Sequence, residues 1–330
     1  MAKFLARMGQ RVVGGMVMVL VVATFTFFLV HLIPGNPVVA QEAKFISQGM
    51  TFQQARAQVE AMYGFIPHDS LGQQYLQYLG QILRFHLGRS ISYGGIPVSH
   101  LILQAMPWTV IMVLSGLVIS FIIGVLAGVV AATYRSSSMG TSVTVFSSVL
   151  HGIPQFVVAL ALAFLFGTLW HILPISSPYS IETHVGLNAP FLGSVARHAI
   201  LPVAAYAISG YGGWALTMKS SVISVLGDDF ILASELRGMK PRIRIGYIAR
   251  NAILPLFTIL TLSIGFMFGG SVFIEEIFNY PGLGHLLLSS VGALDYPLME
   301  GAFLLITAAV ILSNIVADFL YTFIDPRIRT

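Results

Sequence analysis

Long stretches without a charged residue constrain this sequence more than any other feature. Thirty consecutive uncharged positions separate Arg11 from Glu42, and further long gaps separate Arg89 from Arg135 and Arg135 from Glu182. A helix that crosses a bilayer needs about 20 apolar residues. Hydrophobic residues make up 56% of the 330 and charged residues only 9%, too few to cover a soluble protein of this size. The sequence therefore predicts an all-α, polytopic membrane protein.

Six transmembrane helices fit these gaps. The first is expected over 12–33, where Pro34-Gly35 ends it because proline removes a helix donor. It is too long for a signal peptide, so we expect a retained helix. The other five are expected within 106–324: between Arg89 and Arg135, over Val143–Trp170, between Arg197 and Lys219, between Arg250 and Glu275, and over Met299–Ile324. The rest is predicted as a cytoplasmic N-terminus (1–11), an extracytoplasmic helical insertion (34–105), a cytoplasmic loop (219–251) and a cytoplasmic C-terminus (325–330).

Lysine and arginine positions predict the orientation. Six helices place both termini on one side, and that side holds twelve of the 17 Lys and Arg residues. Cytoplasmic loops carry such an excess, so both termini are predicted to be cytoplasmic. The net charge of +4 is then a topology signal and not a nucleic-acid footprint. The absence of Cys excludes disulfides, thiolate chemistry and Zn–Cys sites.

Helical periodicity recurs outside the membrane. In the insertion, apolar residues recur at Phe52, Ala55, Val59 and Met62 or Tyr63. A second set recurs at Tyr75, Leu76, Leu79, Ile82 and Leu83. Such spacing predicts two or three short helices on the outer face of the bundle. They could meet an external partner or simply cover the helix ends, and the pattern leaves both open.

The cytoplasmic loop has a helix of its own. Gly227 and Asp228-Asp229 predict a break and a helix start, since acids favour a helix N-terminus. Small residues at Ala233-Ser234 form one face, and the helix is predicted to end at Gly238. One interpretation is a polybasic loop held at anionic lipid headgroups. We favour the other, a helical knob that docks into a groove of another protein.

Several motifs resemble the dipeptide/oligopeptide permease family of ABC importers, specifically its B-type membrane subunit. They occur in the family's order over more than 300 residues: HLIPGNPV, LGRSISYGGIPV, the loop around Gly238, Arg250-Asn251-Ala252, EEIFNYPGLGHLLLSSVGALDYPLMEG and ADFLYTFIDPRIR. The resemblance implies a type I importer permease fold in the bacterial cytoplasmic (inner) membrane. It also implies a second permease subunit as heterodimer partner, two ATPase subunits inside and a substrate-binding protein outside. The implied ATPase-coupling loop comprises Ala233, Ser234, Glu235, Leu236, Arg237, Gly238, Met239 and Pro241.

Signatures of catalysis are absent from the sequence. None of the four lysines follows a glycine, so no phosphate-cradling Gly-x-x-x-x-Gly-Lys motif is present. The resemblance therefore implies that partner subunits bind ATP and Mg²⁺, and we expect no cofactor in this chain. No His-Glu-x-x-His or Gly-x-Ser-Gly motif occurs, and the nine His residues lack metal-ligand spacing. We expect neither catalysis nor a metal site, and an interfacial or structural role for each His.

The translocation path is less defined. Uncharged polar residues on the later spans are candidates to line it: Ser209, Tyr211, Ser263, Ser271 and Asn314. Gly124 and Gly128 form a small-xxx-small pattern that favours close helix packing. Asp318, an acid inside a span, is expected to reach the interface or to pair rather than to relay protons. Peptide is the expected substrate by resemblance, with metal chelates, glutathione or oligosaccharides as alternatives, and a stand-alone carrier or channel is a further alternative.

Overall fold

The computed structural model of the chain describes residues 2–32, 37–63, 69–266 and 272–324. Within these ranges the regular structure is helical, apart from one isolated β-bridge between Arg89 and Pro97. The helices are α1 (Ala2–Leu32), α2 (Pro37–Ser47), α3 (Phe52–Tyr63), α4 (Leu71–Leu83), α5 (Val98–Thr133), α6 (Ser138–Gly152), α7 (Gln155–Leu162), a π-helical segment (Ala163–Leu169), α8 (Ala189–Leu226), α9 (Asp229–Leu236), α10 (Pro241–Ala252), α11 (Leu254–Phe266), α12 (Val272–Ile277), α13 (Leu283–Gly292) and α14 (Tyr296–Ile324). The predicted all-α class is confirmed.

Two compact units make up the chain. The first unit comprises residues 1–107 and 282–315, and the second unit comprises residues 108–281 and 316–330. Helices α5 and α14 contribute residues to both.

Several helices are long and apolar enough to cross a bilayer. In the described part of the chain four meet that test: Val12–Leu29 within α1, all of α5, all of α8, and Ile243–Ile264 across α10 and α11. A fifth is formed by α6 together with α7 and the π-helical segment, if this bent pair is one span. In α14 a shorter apolar stretch covers Tyr296–Leu312. The exact count of six therefore stays a prediction.

The third span is not the continuous helix that its apolar sequence predicted over Val143–Trp170. Helix α6 ends at Gly152, α7 begins at Gln155, and the two parts are bent by 97°. Between them Ile153 is extended, with φ −83° and ψ 124°, and Pro154 has no N–H to continue the helical hydrogen bonds. Proline thus breaks this span in its middle.

Helix α8 is longer than the uncharged stretch that predicted it. It runs for 38 residues and includes both Arg197 and Lys219, which had been taken as its outer limits. Its start is capped by Asn188, whose side chain accepts a hydrogen bond from the Phe191 N–H, and it ends at Gly227. The uncharged stretch marks the apolar part of the helix, whereas the caps set its ends.

The insertion, which was predicted to hold two or three short helices, contains α2, α3 and α4 in its described residues. On α3 the predicted face is buried at Ala55, Val59, Met62 and Tyr63, whereas Phe52 is exposed. On α4 the Tyr78 ring packs against Phe27 of α1, and Tyr75, Leu79 and Ile82 are partly buried in the same core. Leu76 and Leu83 are exposed, so the predicted face of α4 is correct only in part.

Glycines let the helices of the second unit approach closely. A Cβ added at Gly124 would lie 2.5 Å from Trp214 Cβ, and one at Gly128 would lie 2.6 Å from the Ala215 carbonyl oxygen. Neither distance is sterically possible, so α5 and α8 touch at these glycines. The packing role predicted for the Gly124–Gly128 pattern is confirmed.

Candidate functional site

The predicted cytoplasmic helix is present as α9, with the predicted ends. Helix α8 ends before Gly227, and Asp229 occupies the first turn of α9, where a carboxylate interacts favourably with the helix dipole. After α9, Gly238 has a φ of +67°, in the left-handed region that glycine adopts without steric cost. The Met239 N–H donates to the Ser234 carbonyl oxygen at 3.2 Å. This six-residue closure around a left-handed glycine is a Schellman ending.

One side of α9 is anchored in the second unit. Ile231 is buried in a cluster with Met218 and Val222 of α8 and Ile248 of α10. Ser234 is half-buried, and its hydroxyl donates to the Ile231 carbonyl oxygen at 2.7 Å. Ile231 therefore joins α9 to both neighbouring helices.

The opposite side of α9 is exposed. Ala233, Leu236, Arg237 and Gly238 are exposed, and Leu236 is 82% exposed despite its apolar side chain. Three and four residues apart on a helix share one face, so Ala233, Leu236 and Arg237 form a single stripe. The other predicted coupling residues flank it: Met239 is half-buried, Glu235 lies within α9 and Pro241 is the first residue of α10. We call this exposed stripe with Gly238 the coupling face.

The predicted path residues that are described in the second unit make separate hydrogen bonds. The Ser209 hydroxyl donates to the Ala205 carbonyl oxygen at 2.7 Å, and that of Ser263 donates to Ile259 at 2.8 Å, so both bond within their own helices. Tyr211 lies two residues from Ser209, which places the two about 200° apart around α8. Its hydroxyl accepts a hydrogen bond from Ser147 of α6 at 3.2 Å.

Of the other two path candidates, the structure describes Asn314 but not Ser271. Asn314 is half-buried on α14 in the first unit, and within the described residues its buried Oδ1 has no hydrogen-bond partner. Ser271 lies outside the described residues. The assignment of a path to these five residues stays a prediction.

His151 was expected to have only an interfacial or structural role, as was every other His. It lies in the last turn of α6, directly before the break at Ile153-Pro154. A Cβ at Gly213 of α8 would lie 3.3 Å from the His151 ring, and the two line a cavity of about 270 Å³ with Thr217. Ionisable residues within a span are rare, and they mark transport pathways. The signal was available as His-Gly-Ile-Pro inside an apolar stretch, because proline there predicts a broken helix.

A buried carboxylate organises the first unit. Asp295 accepts hydrogen bonds from the Ser90 hydroxyl and from the Ser92 hydroxyl and N–H, the last two at 2.6 and 2.9 Å. Its other oxygen accepts from the Leu298 N–H at 3.3 Å, at the start of α14. Burial, reinforced by Asp295 and Glu300, raises the pKa of the Tyr63 phenol on α3, which therefore stays neutral at physiological pH. Asp295 thus joins the turn after α4 to α14.

Comparisons with known proteins agree with this architecture. Residues 124–330 match the model of the family described as "Binding-protein-dependent transport system inner membrane component". A di/tripeptide transport system permease protein of Pseudomonas aeruginosa is 31% identical, over 93% of this chain and 94% of the relative. An oligopeptide transport system permease protein of Bacillus subtilis is 31% identical over the same shares. A dipeptide transport system permease protein of Escherichia coli is 29% identical, over 94% of this chain and 96% of the relative.

The matched residues 124–330 include α9, the broken third span and the glycines at which α5 and α8 touch. The relatives extend the similarity well beyond residues 124–330, because they cover more than nine-tenths of the chain. This chain belongs to the family of inner-membrane permease components of binding-protein-dependent transport systems.

Proposed function

We propose that this chain is a permease subunit of an ABC importer that moves peptides into the cell. The observation that carries this proposal is the nearly full-length similarity to relatives named for di/tripeptides, oligopeptides and dipeptides. These names favour peptides over metal chelates, glutathione or oligosaccharides. They also disfavour a stand-alone carrier or channel, because the family belongs to systems that depend on a separate binding protein.

The coupling face is the proposed contact with the ATPase subunits. An exposed leucine beside an arginine is a mixed apolar and cationic surface, which suits a groove in another protein better than water. Since Ile231 fixes α9 to α8 and α10, closure of the ATPase pair would displace these helices. Packing of α8 against α5 at Gly124 and Gly128 would carry the displacement onward.

The broken third span is the proposed part of the path. Non-helical backbone at membrane depth is tolerated only where it is buried in protein or lines a water-filled cavity. His151, which directly precedes the break, and Thr217 line such a cavity beside the glycines of α8. Peptides share a polar backbone and vary in side chain, so a few polar groups on an otherwise apolar wall suit them.

The complete transporter would contain further subunits. A second permease subunit would complete the path, two ATPase subunits would bind ATP and Mg²⁺ on the cytoplasmic side, and a binding protein would deliver substrate outside. This chain would contribute transport and no catalysis, with both termini in the cytoplasm as the lysines and arginines indicate.

Uptake of labelled trialanine tests the proposal. We compare cells lacking this chain with complemented cells, each before and after ATP depletion, and run a nickel chelate, glutathione and an oligosaccharide in parallel. Trialanine uptake that needs both the chain and ATP is the expected result. If only one of the other substrates shows this double dependence, the importer stands but the peptide assignment is wrong. Uptake that needs the chain but not ATP contradicts an ABC importer.

A further inference from the structure

Arg197 is exceptional among the basic residues of the second unit. Of the Lys and Arg residues from 108 to 281, it is the one that the proposed topology places on the external side of the membrane, whereas the others lie on the cytoplasmic side. It lies in the third turn of α8, just after the loop of residues 170–188 that follows the third span. An isolated external cation runs against the usual loop bias and needs a structural or functional reason.

The structure places Arg197 in a pocket. The loop of residues 170–188 folds against the start of α8 and borders an open pocket of about 750 Å³. Its polar lining consists of Arg197, His171, His198, Ser180, Thr183 and Ser194. Among the described residues no carboxylate lines it, and Glu182 lies exposed beside Thr183 on the same loop. The loop is tied to the helix, because the Ser180 N–H donates to the Ser194 hydroxyl at 2.8 Å. The pocket is therefore built from both elements and presents donors to an anion.

The guanidinium is held in place with donors to spare. One of its nitrogens donates to the Ile172 carbonyl oxygen at 3.2 Å, which fixes the side chain across the mouth of the loop. In the described residues no ion pair involving Arg197 is formed. Since a guanidinium carries five N–H donors, most of them remain for a ligand, and a carboxylate suits their fork geometry.

The same loop exposes large aliphatic side chains next to the pocket. Ile181 is 96% exposed and Leu187 is 97% exposed, and Val185 lies exposed between them. Several exposed aliphatic residues on one loop are typical of a surface that contacts another protein. Apolar contacts surrounding an arginine that meets a carboxylate are typical of protein–protein interfaces.

We infer that the loop of residues 170–188 and its pocket form a docking surface for the external binding protein. An Asp or Glu side chain of that protein enters the pocket and accepts hydrogen bonds from Arg197, while Ile181 and Leu187 pack against apolar surface around it. The positive charge of Arg197 favours an acidic partner. The exposed aliphatic residues of the loop beyond the pocket favour a protein over a free peptide. This inference rests on the proposed function, because it takes the binding protein as the partner on the outer side.

Affinity measurements with the complete transporter test the inference. The transporter, assembled in nanodiscs, is immobilised and titrated with its purified binding protein at low and at high salt. Arg197→Gln is expected to weaken binding about tenfold or more, the usual loss for a charge-assisted hydrogen bond. Arg197→Lys should recover part of the affinity, and the salt dependence of binding should fall in the glutamine variant because a screened ion pair is gone. Arg84→Gln is the matched control, because it removes another exposed external cation at the end of α4. It should change neither the affinity for the binding protein nor the salt dependence of binding.

The possible outcomes separate the two proposals. Unchanged affinity in Arg197→Gln overturns the docking surface but leaves the peptide importer standing. If that variant instead raises the KM for trialanine at unchanged affinity, the pocket takes the carboxylate of the peptide, which also overturns the inference. If the unaltered transporter does not bind the binding protein at all, the proposed function fails with it.

Site-specific crosslinking covers the case in which the Arg197 variants do not assemble. A photoreactive benzophenone amino acid replaces Leu187 in the otherwise unaltered chain, and the complex is irradiated with the binding protein present. A covalent adduct with the binding protein is expected. An adduct with the second permease subunit, or none with the binding protein, overturns the inference.

Discussion

Replacing Gly238 by alanine isolates the conformational role of this residue in the coupling face. Nothing lies within 4 Å of the position that a Cβ would take, so the substitution introduces no steric clash with neighbours. The backbone is in the left-handed region, with φ +67°, where an L-residue with a Cβ costs about 1–2 kcal/mol. The Schellman ending of α9 should therefore open roughly five- to thirtyfold more often.

Two further substitutions show whether conformation is the cause. Gly246 lies inside α10, is exposed and likewise has nothing within 4 Å of its Cβ position. Alanine there should stabilise the helix by about 0.5–1 kcal/mol, so the same chemical change has the opposite sign. In Gly238→Asn the Schellman ending should open more often than in the unaltered protein but less often than in Gly238→Ala, since asparagine tolerates the left-handed conformation better than most residues.

Hydrogen exchange and transport provide the two readouts. The Met239 amide, which closes the ending by donating to Ser234, should exchange roughly five- to thirtyfold faster in Gly238→Ala and not in Gly246→Ala. ATP-driven trialanine uptake should be highest in the unaltered protein, lower in Gly238→Asn and lowest in Gly238→Ala. Equal exchange in Gly238→Ala and the unaltered protein would refute the assigned strain. Faster exchange with normal uptake would refute the role of the ending in coupling.

Three other substitutions probe the helix contact, the outer turn and the path. Gly128→Val places a branched side chain against the Ala215 carbonyl oxygen, and we expect a loss of about 1–3 kcal/mol or more, seen as a lower thermal midpoint of the purified complex. Asp295→Ala leaves the buried Ser90 hydroxyl without its acceptor, so residues 88–97 should exchange hydrogen faster by the equivalent of roughly 3 kcal/mol, and Asp295→Asn should have a smaller effect. His151→Leu should reduce trialanine uptake while complex assembly stays intact, and normal uptake would contradict its place in the path.

Local signals made α9 predictable. Gly227, Asp229 and Gly238 each act on the backbone next to them, through a helix end, a dipole interaction and a left-handed residue. Such signals need no information about the rest of the fold. The buried residues of α3 were predictable for a similar reason, because one face of a short helix outside the membrane meets the core and the other meets solvent.

Faces within the membrane were not predictable in the same way. Lipid and protein core are both apolar, so periodicity does not distinguish exposed Leu114 or Val118 of α5 from the buried Leu117. The bend at Pro154 was missed because the spans were placed by counting uncharged residues, which gives no weight to a proline within the stretch. Arg197 was treated as the edge of a span, and its pocket depends on a loop whose path no short pattern encodes.

Helix α8 joins the two proposed surfaces of the second unit. Its third turn carries Arg197 at the external pocket, and near its other end Val222 packs against Ile231 of the coupling helix. At about 1.5 Å per residue, its 38 residues span roughly 57 Å, more than the 30 Å of the bilayer core. If ATP binding displaces α8 and thereby changes the affinity for the binding protein, docking must change the affinity for ATP by the same factor. Binding-protein affinity measured with and without a non-hydrolysable ATP analogue should therefore differ, and Arg197→Gln should shrink that difference. Equal affinities in the two nucleotide states would mean that α8 does not couple the two surfaces.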